Sequence, residues 1–144
     1  MKVKPVDYVV KKLVYLRGEI MAIHRRDEAV VHRLHGSVFH SYVAPATGST
    51  ELCAWRLEIA GGVEGLTHRV DREEVFLLLA GQIRVSLDGV SEGMAAGDVL
   101  RVPAGSVFGV DNPSTETAQA WVTTSVGLTA TLPDGSVISP PWVR

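Results

Sequence analysis

The chain has 144 residues, of which 46% are apolar and 21% are charged, with a formal net charge of −2. This length is enough for one domain with a single hydrophobic core, and the composition excludes disordered and collagen-like chains. The basic residues are dispersed apart from short runs such as His24-Arg25-Arg26, so we expect no nucleic-acid partner.

The N-terminal stretch MKVKPVDYVVKKL has charges within every apolar run, which differs from a secretory signal peptide. No run approaches the roughly 18 apolar residues of a membrane span. Cys53 is the single cysteine, so an intramolecular disulfide and a thiolate metal cluster are excluded. Its apolar neighbours predict a buried, inert thiol. These features predict a cytoplasmic protein with no membrane partner.

Residues 1–27 are predicted to form an N-terminal extension, and residues 28–144 a separate barrel domain. Within the extension, Asp7 is a candidate cap for a helix that Gly18 would end. Residues 19–23 could form a further strand. The extension is also a candidate contact in a dimer.

From residue 28 onward, short apolar segments alternate with glycine and proline turns. In the segment 52–59 every second residue is apolar, which is typical of a strand with one buried face. Strands are predicted over residues 29–34, 37–43, 52–59, 74–79, 83–87, 99–102, 107–110 and 118–126. Their spacing of roughly 8 to 12 residues favours an all-β sandwich or barrel over alternating strands and helices.

Two sequence motifs lie between residues 62 and 112. The first, G-x5-H-x-H-x3,4-E-x6-G, is matched in spacing by Gly62, His68, Val70, Glu74 and Gly81. The second, G-x5-P-x-G-x2-H-x3-N, is matched by Gly97, Pro103, Gly105, Phe108 and Asn112. In these motifs the chain resembles the cupin superfamily. The resemblance implies an all-β fold, the cupin double-stranded β-helix or jelly-roll barrel.

The chain departs from the family pattern at the metal ligands. In metal-binding cupins both histidines and the glutamate of the first motif join the histidine of the second around one ion. Here His68 and Glu74 remain, whereas Val70 and Phe108 replace the other two ligands. Catalytic metal sites usually need about three protein ligands. The resemblance therefore implies that the ordinary cupin metal site is broken and that no cofactor is bound through it.

A rebuilt metal site is the open alternative, and it depends on one strand. His40 and Tyr42 share a face of the segment 37–43. If that face lines the barrel, His40 could join His68 and Glu74 around zinc, iron or nickel. If it points outward, Phe39 packs inside instead. Three further histidines are expected to be solvated or to lie near strand ends: His24, His32 and His35.

Without a metal, His68 and Glu74 would face a cavity walled by Val70, Phe108 and Trp55. Desolvation would raise the pKa of the glutamate and lower that of the histidine, while pairing between them would act in the opposite sense. Such a couple can move a proton to or from a bound ligand. The competing interpretation is that Glu74 is a structural carboxylate inherited from a metal-binding ancestor.

A looser resemblance to cupin-type polyketide cyclases and related tailoring enzymes implies an activity. Such an enzyme would bind an apolar substrate, for which a polyketide-like aromatic compound is one candidate, and promote proton transfer with cyclisation or isomerisation. In it His68 would be the acid or base, Glu74 its orienting partner, and Tyr42 a hydrogen-bond donor to a carbonyl. The alternatives are a metal-free binding or sensing protein and a vestigial one. A homodimer is also expected, with Trp142 as a candidate contact.

Overall fold

The computed structural model describes residues 23–144, and the predicted helix near Asp7 and most of the strand at 19–23 lie outside this range. Twelve strands form within the described part of the chain. They are β1 (Val30–Leu34), β2 (Ser37–Val43), β3 (Leu52–Ile59), β4 (His68–Val70), β5 (Glu74–Ala80), β6 (Gln82–Leu87), β7 (Val90–Ala95), β8 (Val99–Val102), β9 (Val107–Asp111), β10 (Ala118–Ser125), β11 (Ala130–Thr131) and β12 (Val137–Ile138). Single 3-10 turns occupy Arg26–Glu28, Pro45–Thr47 and Pro141–Val143.

The strands form two six-stranded sheets with antiparallel pairing throughout. The first sheet has the order β1-β2-β3-β10-β5-β8, and the second has the order β12-β11-β4-β9-β6-β7. Buried side chains from both sheets meet in one hydrophobic core. The architecture is a jelly-roll barrel, and the predicted all-β fold class is confirmed. No helix within residues 23–144 is long and apolar enough to cross a membrane.

The central strand β10 shows how the inner wall of the barrel is built. Its residues alternate between buried and partly exposed along the whole strand, as expected when one face of a sheet packs inward. The buried positions near its start are small, with Ala118 and Ala120 both inaccessible to solvent. Ala120 is in register with Leu57 on β3 and Leu78 on β5. Its short side chain leaves space for these larger neighbours.

The glycines of the two motifs form turns, and the asparagine of the second motif stabilises a loop. Gly81 and Gly97 have φ values of 81° and 97°, a region that costs glycine little. Asp98 accepts a hydrogen bond from the Ala95 N–H at 2.9 Å and so caps the turn between β7 and β8. The buried Asn112 amide donates to the carbonyls of Ile59 and Glu116 at 3.0 and 2.7 Å. Asn112 thereby ties the loop after β9 to the end of β3.

Candidate functional site

A cavity of about 280 Å³ lies inside the barrel. Its walls come from both sheets, from the loop before β4 and from the C-terminal end, and most of the lining side chains are apolar. The exposed lining residues Leu34, His35 and Leu66 mark the side at which the cavity meets solvent. Only three lining residues of the described chain are titratable: His35, His68 and Glu74.

Glu74 begins β5 and projects from the inner face of the first sheet. It is in register with Thr124 on β10 and Val102 on β8, and it is only 5% exposed. Its carboxyl group has no hydrogen bond or ion pair with any residue from 23 to 144. Burial raises its pKa from 4.5 to about 8, because the charged form is poorly solvated there. Glu74 is therefore mostly protonated at neutral pH and can act as an acid.

His68 begins β4, in the opposite sheet, and its ring is held in one orientation. Its Nδ1 lies 2.9 Å from the carbonyl oxygen of Leu66, which can only accept, so Nδ1 carries the hydrogen. The neutral ring then keeps a lone pair on Nε2. Burial lowers the pKa of His68, an effect that the bond to Leu66 opposes. His68 is thus neutral at neutral pH and can act as a base.

The side chains that replace the two missing histidines form an apolar wall beside these groups. Val70 and Phe108 are 1% and 2% exposed, and both line the cavity. The Phe108 ring lies 4.3 Å from the ring of His68 and 5.9 Å from that of Phe76. Trp55 also lines the cavity and is buried. The apolar side chains contribute to a lining that offers few polar partners to Glu74 and His68.

His40 and Tyr42 lie on the opposite face of the sheet, away from the cavity. His40 Nε2 is 3.3 Å from Glu58 Oε1, and the Tyr42 hydroxyl donates to the carbonyl of Arg26 at 3.2 Å. Arg56 bonds to the same Glu58 oxygen, so Arg56, Glu58 and His40 lie together on the outer face of the sheet. The placement of His40 and Tyr42 as ligand-binding residues of the barrel is therefore wrong.

The donor set in the barrel does not fit a transition-metal ion. No group of three or more histidine, cysteine, aspartate or glutamate side chains that could hold a metal occurs among the described residues. His40, the expected third ligand, is separated from His68 and Glu74 by the sheet. Two donors are fewer than the three that catalytic metal sites supply. The rebuilt site on His40 is not formed.

His68 and Glu74 line one cavity, but the structure gives no hydrogen bond between them. The expected role of Glu74 as an orienting partner of His68 is therefore unsupported, because Leu66 orients the imidazole instead. The neighbouring Glu73 points to solvent and pairs with Arg101 at 2.9 Å, as expected for the outer face. His68 and Glu74 therefore reach the cavity from different sheets.

Sequence reasoning left Phe39 open as an inward-facing residue and did not place Trp142 or His35 at the cavity. Phe39 and Trp142 both line the cavity and stack with ring centroids 3.6 Å apart. Trp142 was expected at a dimer contact, and a contact with a second copy stays a prediction. His35, expected near a strand end, does lie in the β1–β2 turn but also lines the cavity. Trp142 was visible in the sequence as an aromatic residue after two prolines, but its stacking partner Phe39 could not be identified from the sequence.

Comparison with known proteins agrees with this architecture. Residues 55–125 match the family described as Cupin domain. The fold is similar to the polyketide cyclase RemF from Streptomyces resistomycificus, with 15% identity and a TM-score of 0.67, covering 74% of this chain and 80% of that chain. A cupin 2 conserved barrel domain protein from Salinispora arenicola CNS-205 is 24% identical, with a TM-score of 0.62 and coverage of 73% and 88%.

A third similar structure is a sugar phosphate isomerase of the cupin superfamily from Silicibacter pomeroyi DSS-3. It is 17% identical, with a TM-score of 0.65, and the match covers 78% of this chain and 82% of that chain. A comparison with curated protein sequences gives no match. The motifs, the barrel and the matched domain together show the class, an all-β barrel with an internal cavity. Residues 55–125 of this chain match a cupin domain, and the described fold is that of a cupin barrel.

Proposed function

We propose that this protein is a cupin enzyme that transfers protons to and from a small apolar carbonyl compound, and so promotes its cyclisation or isomerisation without a metal. One observation carries the proposal. Glu74 and His68 line the same apolar cavity, and burial shifts their pKa values in opposite directions. Titratable groups whose surroundings push their pKa values apart are typical of acid–base pairs in enzymes.

The chemistry follows from the protonation states. The Nε2 lone pair of His68 accepts a proton from the carbon next to the carbonyl group of the ligand. The electron pair of that C–H bond forms the enol double bond, and the carbonyl oxygen takes the proton of Glu74. The imidazolium and carboxylate that result carry opposite charges, so the cavity keeps zero net charge. Return of the protons to the ligand restores the neutral pair. So does attack of the enol carbon on a second carbonyl of the same ligand, because the imidazolium protonates the new alkoxide oxygen and the enol O–H returns its proton to Glu74 as the ketone re-forms.

The cavity also limits the class of substrate. Its walls hold few hydrogen-bonding side chains, so the many hydroxyl groups of a sugar would lose their bonds to water. A phosphate would find only His35 and His68 as cationic candidates among the lining residues of the described chain. These features favour an apolar ligand over a sugar phosphate, although the fold is shared with a sugar phosphate isomerase.

The volume of the cavity favours a ligand with one or two rings. A dry engineered cavity of about 150 Å³ binds benzene. The cavity here, of about 280 Å³, is close to the lower end of the roughly 300 to 1,000 Å³ that is common for ligand sites. The similarity in fold to a polyketide cyclase supports an aromatic ketone. Such a ligand presents a flat apolar body and one oxygen that Glu74 can protonate.

The test uses 2-acetylnaphthalene, a two-ring methyl ketone, in D₂O. Proton NMR follows the loss of its methyl signal as α-protons exchange for deuterium. We expect the wild-type protein to accelerate exchange above the buffer rate, and Glu74→Gln and His68→Gln to remove most of that acceleration. Such general acid–base steps contribute about 10² to 10⁴ in rate. The matched controls are Glu73→Gln and His40→Gln, which change the same residue types on the outer face and should leave the rate unchanged.

A non-catalytic binding or sensing protein is the second candidate. The apolar walls support it, because an apolar cavity can hold a ligand without any reaction taking place. It predicts that 2-acetylnaphthalene binds but exchanges no faster than in buffer. That result would contradict the enzyme. Equal rates for the wild type and for both inner variants would contradict the roles given to Glu74 and His68.

A further inference from the structure

The last five residues, 140–144, which we name the C-terminal segment, are fastened across β2 and β3. The Ser41 hydroxyl donates to the carbonyl of Trp142 at 2.9 Å. The Cys53 thiol donates to the carbonyl of Val143 at 3.7 Å, and the side chain of Val143 is only 2% exposed. The backbone N–H of Ala46 adds a bond to the Arg144 carbonyl at 3.4 Å. The segment is therefore a fixed part of the barrel wall.

This anchoring places the indole of Trp142 at the cavity. The ring lines the cavity and stacks on Phe39 with an interplanar angle of 12°. The carbonyl groups at Trp142 and on the next two residues accept hydrogen bonds from the body of the barrel, which fixes the backbone of the segment. The stacking contact with Phe39 holds the indole ring itself. Trp142 therefore forms part of the cavity wall.

We propose that Trp142 is a specificity-determining residue that sets the upper limit on ligand size. The proposal rests on the function proposed above only in that the cavity binds an apolar ligand. With Trp142 in place, a two-ring ketone fits and a three-ring ketone meets the stacked Phe39–Trp142 pair. Replacing the indole by a methyl group enlarges the cavity without changing Glu74 or His68.

The experiment measures the dissociation constants of 2-acetylnaphthalene and 2-acetylanthracene by calorimetry for the wild type and three variants. In Trp142→Ala we expect the affinity for the three-ring ketone to rise about tenfold or more relative to that for the two-ring ketone, the scale of steric discrimination in apolar pockets. Trp142→Phe keeps an aromatic ring on Phe39 and should show a smaller change. Trp121→Ala is the control, because Trp121 lies on the outer face near Tyr42 and should leave the ratio unchanged.

Thermal unfolding of each variant shows that it is folded under the binding conditions. If Trp142→Ala does not fold, Trp142→Phe carries the test alone, with an expected change in the same direction. An unchanged affinity ratio in the folded variants would overturn the proposal, as would failure of both ketones to bind any of the proteins. Binding of the two-ring ketone without α-proton exchange would contradict the proposed enzyme but leave the size limit supported by the altered ratio.

Discussion

Replacing Glu74 by glutamine should stabilise the protein by an amount that grows with pH. Glutamine has almost the same shape as a protonated glutamate but has no proton to lose. In the wild type, burial raises the pKa of Glu74 from 4.5 to about 8. Between these two pH values the folded state holds a proton that the unfolded state has released. Stability is therefore full below pH 4.5 and is lost as pH rises through about 8.

The size of the effect follows from the two pKa values. The interval from 4.5 to about 8, at ~1.4 kcal/mol per pKa unit, corresponds to ~5 kcal/mol. At pH 7, which lies well inside this interval, the wild type is expected to have lost ~3 kcal/mol of its free energy of unfolding relative to pH 4.5. Glu74→Gln avoids this loss. Because His68 is present in both proteins, its own titration cancels in the comparison.

Urea denaturation, followed by tryptophan fluorescence at several pH values from 4.5 to 9, measures the difference in free energy of unfolding. We expect the wild type and Glu74→Gln to be closest at pH 4.5 and to diverge by ~3 kcal/mol at pH 7. Glu73→Gln is the control, since that carboxylate is exposed and pairs with Arg101. Curves for Glu74→Gln and the wild type that stay parallel across this range would refute the reasoning. They would mean that water or a cation reaches Glu74 in the folded protein.

Three further predictions concern the site and its support. The rate of α-proton exchange should give a bell-shaped pH profile. It should fall above about pH 8, where Glu74 loses its proton, and fall in acid, where His68, with its lowered pKa, gains one. An NMR pH profile without a fall at high pH would contradict this. Elemental analysis of protein purified without a tag or chelator should give far less than one equivalent of zinc, iron or nickel, and stoichiometric metal that disappears in His68→Ala would be the contrary result. Asn112→Ala should cost ~2–4 kcal/mol of unfolding free energy in urea, because it removes the amide bonds to the carbonyls of Ile59 and Glu116 and the acceptor for the Ser114 N–H. A cost below ~1 kcal/mol would show that water replaces the amide.

The fold was largely predictable because two local signals agree. Alternation identified the long strands, among them β3 and β10, and the motif glycines marked the turns at positive φ. The strand β7 was missed for a physical reason. It is an edge strand with a mostly exposed surface and a glycine in its middle, so it shows no apolar alternation. The strands β11 and β12, with two residues each, are too short to produce a pattern.

The site was predictable only where the motif fixed positions. His68, Glu74, Val70 and Phe108 were predicted to share a cavity, and the structure brings all four to it. The orientation of β2 was not predictable, because each face of the strand carries one large aromatic side chain. The deciding contact is between Phe39 and Trp142, which lie at opposite ends of the domain sequence. A stacking partner so distant along the chain leaves no trace in local periodicity.

The lack of donor side chains at positions 70 and 108 and the raised pKa of Glu74 both reflect the apolar lining of the cavity. A bound cation would stabilise the carboxylate form and keep its pKa low. Val70 and Phe108 are buried and apolar, so neither gives a cation a donor, and burial disfavours the charged form of Glu74. The cavity therefore holds a carboxyl group that is mostly protonated at pH 7. In the function proposed above, this proton is the one transferred to the ligand.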